Sequence, residues 1–102
     1  MPVVLQNEVM LELTREAVAH LKTSHAAVLY VVCNRLHVRL PGQLQEMLQG
    51  EFAGRVQIVH EPGVERSVAG AWNKGCALAV ADGSDLLAIV ANDTRLRADC
   101  LD

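Results

Sequence analysis

The sequence predicts an α/β fold, a parallel sheet with flanking helices, from three observations. Short apolar runs at residues 26–33, 55–60 and 86–91 have the length of strands, the first and last of them buried on both faces. The stretches between them carry apolar residues at helical spacing. Turn residues separate the two kinds of stretch: Pro41-Gly42, Glu61-Pro62-Gly63 and Asp82-Gly83-Ser84-Asp85. An alternation of strand and helix calls for right-handed crossovers into a parallel sheet, and so for a Rossmann-like layer.

Pro2 to Leu5 is a stub of a first strand. A helix over residues 8–23 follows, lined by Met10, Leu13, Ala17, Val18 and Leu21, with Asn7 as its cap. Glu8, Glu12 and Glu16 near its start and Lys22 near its end suit the helix dipole. The second strand, 26–33, delivers Asn34 and Arg35 to its carboxyl end. Leu44, Met47 and Leu48 mark a short helix that Gly50 or Gly54 ends, and the strand 55–60 carries Val56, Ile58 and Val59. Val68, Trp72, Cys76, Ala79 and Val80 give the third helix a face to bury. The strand 86–91 then ends on Asn92-Asp93-Thr94, and in open α/β sheets ligands sit beyond the carboxyl ends of strands. Asp93 is therefore the first candidate site residue.

The 102 residues make one domain. With 51% hydrophobic residues but one Phe, one Tyr and one Trp, the core is aliphatic. A net charge of −3 gives no basic footprint for nucleic acid. Cys33, Cys76 and Cys100 share no metal-ligand spacing and read as reduced thiols. The four histidines show no i,i+4 pair. No apolar run is long enough to span a bilayer and no signal peptide is evident, so the expected location is cytoplasmic.

Residues 71–96, AWNKGCALAVADGSDLLAIVANDTRL, resemble the region leading into the DxD-type motif of family 2 inverting glycosyltransferases with a GT-A fold. The resemblance extends over most of the chain, more weakly before Arg55. It implies a nucleotide-sugar-binding domain, the donor half of a hexosyltransferase-type enzyme that passes a sugar to an acceptor hydroxyl. Asn73 and Gly75 match the family's Asn-x-Gly, which there opens a helix. Asn7 matches the polar position after the first strand, and Asn34, next to Cys33, is the candidate donor and acceptor for the nucleotide after the second. Asn92 and Asp93 match the acidic tip, where Asp93 would hold a divalent cation, Mn²⁺ or Mg²⁺, bridging the diphosphate.

The pattern is broken at four places, one of them Val4, where the family usually has Pro. Ala91 stands where the family has the first acid or amide of the motif, Trp72 where it often has Arg, and Cys33 where many relatives carry an Asp. The second half of the fold, with its catalytic base, is not matched by any residue here. The chain thus reads as a donor-binding half that self-associates through an incomplete sheet. A non-catalytic α/β module that binds nucleotide or a partner protein is the alternative. A nucleotidyltransferase ranks last, because residues 1–23 contain no glycine for a phosphate loop.

Overall fold

A computed structural model of the chain describes residues 1–5, 8–36, 41–60, 67–92, 95–97 and 100–101. Among these, the elements run β1 (Pro2–Leu5), α1 (Glu8–Ala19), β2 (Val28–Leu36), α2 (Pro41–Glu51), β3 (Arg55–His60) and α3 (Val68–Ala81). The three strands form one parallel sheet in the order β1-β2-β3.

Alternation along β2 divides the molecule into two layers. Leu29, Val31 and Cys33 join Val3, Ala17, Val18, Leu44, Leu48 and Val56 in a single core under α1 and α2. Tyr30 and Val32 belong to the opposite face, which α3 covers. Two successive right-handed crossovers that step the same way along a sheet put their helices on one face. This accounts for α1 and α2 together. The move of α3 to the other face sends the chain back toward β1 instead of onward past β3.

Several boundaries differ from the sequence expectation. Helix α1 ends at Ala19, before residue 23, because the amides of His20 and Leu21 bond three residues back, to Ala17 and Val18, and tighten the last turn. Leu21 is buried all the same. Strand β2 runs on through Asn34 to Leu36, since Val4 and Leu5 of β1 pair with Arg35 and Leu36. Pro41 and Gly42 are the first residues of α2; proline at this position gives up an amide that had no helical partner.

The largest correction concerns residues 86–91, which form no strand among the described residues. Apolar content alone does not make a strand; it needs a ladder. The neighbouring β1 is four residues long, starts at a proline and has a register shift between Val3 and Val4.

The buried face of α3 also differs. Its buried residues are Ala71 and Ala79, with Gly75 between them packed on Val32, while Val68, Trp72 and Val80 are exposed. Small residues at i, i+4 and i+8 let the helix lie flush on β2. Its far end is pinned where Asp82 Oδ2 accepts from Tyr30 Oη at 2.6 Å and from Arg55 Nη2 at 2.7 Å. The break at 82–85 is as expected, with Gly83 at φ +87°.

Candidate functional site

A groove of about 390 Å³ follows the outer edge of β1, between α1 and α3. Val3, Leu13, Val68, Ala71 and Trp72 give it apolar walls, and Ser67 and Asn92 are polar groups at its rim. Few polar groups set in an apolar cleft is the usual make-up of a small-molecule site.

Ser67 is there because it caps α3. Its Oγ accepts from the Gly70 amide at 3.0 Å and its carbonyl accepts from Ala71 at 2.9 Å. Asn92 is held by α1: its Nδ2 donates to Thr14 Oγ1 at 3.2 Å, and Thr14 Oγ1 donates to the Met10 carbonyl at 2.9 Å. Thr14 is fully buried, so the helix core supplies a fixed acceptor. Beyond the tip, Arg95 pairs with Glu16, also on α1. The residues on both sides of 93–94 are thus anchored to one helix.

The expected site residues fall in different places. Asn7, Asp93 and Thr94 lie outside the described residues. Asn34 is the extra residue of a bulge in β2: Val3 pairs with Cys33 and Val4 with Arg35. Bulges often re-aim a chain beside functional sites. Asn73 is exposed in the sixth position of α3, so Asn-x-Gly does not open this helix; Ser67 and Val68 do. The positive end of the helix dipole lies there, more than a turn before Asn73. Gly75 faces the sheet, where an added Cβ would stand 3.5 Å from Val32 Cγ2.

Of the expected residues that the structure describes, Asn92 is the one that lines the groove, with Ala91 beside it. Thr14 lies six residues into α1, about 9 Å along its axis from Glu8. Asn92 therefore meets the helix midway rather than at the outermost carboxyl edge of the sheet.

Cys33 is buried in the core, and desolvation pushes its thiol up to about 12. It is a packing residue at neutral pH. Among the described residues no group of three or more His, Cys, Asp or Glu is placed to hold a metal ion, and no helix is long and apolar enough to cross a membrane.

Thr14 and Ser67 are missing from the sequence reading, although both had a signal. Thr14 is a polar residue at i+4 from Met10 and i−4 from Val18, inside the apolar stripe of α1. Ser67 directly precedes the first apolar residue of α3, the ordinary place of a cap. No family model, curated protein or solved structure matches the chain.

Proposed function

We propose that this domain binds a nucleoside-diphosphate sugar, as the donor-binding part of an inverting glycosyltransferase of the cytoplasm. The observation that carries the reading is the anchoring of Asn92 to Thr14 and of Arg95 to Glu16, which fixes the chain on either side of Asp93 against α1. The parallel sheet supports it, because nucleotides favour the carboxyl ends of the strands in such sheets. The resemblance of residues 71–96 to the acidic-tip region supplies the substrate class.

On this reading Asp93 holds Mn²⁺ or Mg²⁺ against the diphosphate, with Asn92 as a neutral oxygen ligand. The ion neutralises charge on the leaving group. Asn7 and Asn34 donate to the nucleotide sugar and Gly75 keeps α3 close to the sheet, while Asn73, exposed on α3 and off the groove, is assigned no contact. Ala91 leaves the ligand set one acid short, which weakens the ion's grip. No residue of the chain is assigned as the base that activates the acceptor hydroxyl.

Calorimetric titration with UDP, dTDP and GDP, each with and without Mn²⁺, tests the proposal. Binding of one of the three that strengthens with Mn²⁺ is the expected result. Equal heats of dilution for all three, with and without the ion, overturn it.

A second reading, an interaction module without catalysis, is favoured by the apolar walls of the groove and the exposure of Trp72 and Leu86. Sedimentation velocity separates the two. A complex or oligomer that forms without nucleotide, together with no nucleotide binding, is the outcome that selects this reading.

A further inference from the structure

Exposed apolar side chains lie on the walls of the groove and along the run of chain that leads into it at Ala91. Residues 86–91 read Leu-Leu-Ala-Ile-Val-Ala, and Leu86 is 91% exposed, Leu87 47% and Ile89 56%. On the walls, Leu13 of α1 is 43% exposed, and Val68 and Trp72 of α3 are 60% and 38% exposed. The run is fixed at both ends. Asp82 ties its start to Tyr30 and Arg55, and Val90 packs against the main core while Ala91 and Asn92 line the groove. Among the described residues the strand alongside is paired on one side only: the Val32 amide donates to the Met1 carbonyl at 2.9 Å, and β1 is at the edge of the sheet. Successive carbonyls of a strand point to opposite sides, so that of Pro2 faces outward. A proline suits an edge.

We propose that residues 86–90 are a strap that adds to the free edge of β1 as a fourth parallel strand and closes the groove. The direction is right. Helix α3 runs from the carboxyl edge of the sheet down to Asp82, beside the starts of β2 and β3, so the chain after it travels the same way as β1. The crossover it completes is the reversal that the change of helix face requires. The alternation is right too. Val90 belongs to the α1 side, which puts Ala88 and Leu86 on that side, toward Leu13, and Leu87 and Ile89 toward Val68 and Trp72. Burying these side chains opposes the entropy lost by ordering the run, and the two effects are of similar size. The strap therefore opens and closes, exposing and covering the groove.

Trp72 is the only tryptophan, so its fluorescence reports the groove directly. The test compares the full chain with Leu87→Asp/Ile89→Asp, without nucleotide, so that it stands apart from the proposed function. Both residues are exposed in the open arrangement, and their replacement leaves the core intact. In the unmodified protein the alternate amides of 86–90 that face β1 are expected to exchange a few-fold slower than in a coil. The double variant is expected to lose that protection and to leave Trp72 more open to acrylamide, while β2 and β3 amides are unchanged. Coil-rate exchange of 86–90 in the unmodified protein, with equal quenching of Trp72 in both proteins, overturns the strap. Protection that rises with protein concentration overturns it as well, by showing that the pairing strand comes from a second copy.

Discussion

Asn92 and Thr14, 78 residues apart in sequence, share a hydrogen bond at 3.2 Å that joins the chain after α3 to the buried side of α1. Thr14 is fully buried and already donates to Met10, so its remaining capacity is to accept. Thr14→Val keeps the shape and removes the acceptor. It is expected to lower stability by about 1 kcal/mol. A double-mutant cycle with Asn92→Ala in urea measures the coupling, expected at roughly 0.5–1.5 kcal/mol. A coupling near zero would show that the bond contributes nothing in solution.

Asp93→Asn tests the proposed ion site. Replacing the one carboxylate at the tip is expected to weaken Mn²⁺-dependent binding of a nucleoside diphosphate by about 1.5–3 kcal/mol, at an unchanged melting temperature. Calorimetry of the two proteins in Mn²⁺ decides. Equal affinities would reduce Asp93 to a residue that ends a run of apolar chain.

Gly54 has no room for a side chain. A Cβ there would stand 2.2 Å from the Ala27 carbonyl oxygen and 2.7 Å from Phe52 Cε2, and the first of these is backbone, paired with the Arg55 amide at 3.1 Å. Gly54→Ala is expected to cost about 1–3 kcal/mol. Gly50→Ala, with open space around its Cβ, is expected to be neutral or stabilising. Thermal denaturation of the pair checks both signs.

Stability should rise between pH 6 and 8 in a chain that begins with a free amine at Met1. Burial lowers the pKa of that amine from 8.0 to about 6, against a smaller opposing influence of Cys76. Between these values the unfolded chain holds the proton and the folded one does not, so raising the pH favours the fold. The gain approaches about 2–3 kcal/mol across the window. Urea titrations at pH 6 and 8 should show it, and acetylating the amine should flatten the difference.

The thiols should react in order of burial. Cys33, buried and held protonated to about pH 12, is expected to resist iodoacetamide in the native state, while exposed Cys100 reacts at once. Mass spectrometry of the labelled protein gives the order. Labelling of Cys33 at the same rate as Cys100 would contradict its place in the core.

Much of the fold is legible in the sequence where two signals coincide. Strand β3 has its expected bounds because Gly54 and Glu61-Pro62-Gly63 bracket a short apolar run. The stop of α3 is equally clear, since Asp82 and Gly83 supply a polar break and a positive φ. The buried face of α3 is not legible from hydrophobicity. Spacing suggests Val68, Trp72, Cys76, Ala79 and Val80, whereas close approach to β2 keeps Ala79 from that set and adds Ala71 and Gly75. Residues 86–91 show the other limit, because pairing depends on what β1 offers and not on the run itself. The candidate site is legible only at Asn92; its partner Thr14 is hidden within an apolar stripe.

The sheet order has a consequence for how the chain assembles during synthesis. Each ladder joins strands that are consecutive in sequence, so no strand must wait for a distant one, and β1, α1, β2, α2 and β3 can dock in the order they leave the ribosome. The face of β2 that carries Tyr30 and Val32 is the exception, because its cover is made last. It stays wet until Asp82 emerges to take the Tyr30 hydroxyl and the Arg55 guanidinium. A ribosome stalled before that residue would hold a half-covered sheet, the state in which this chain is most open to chaperones.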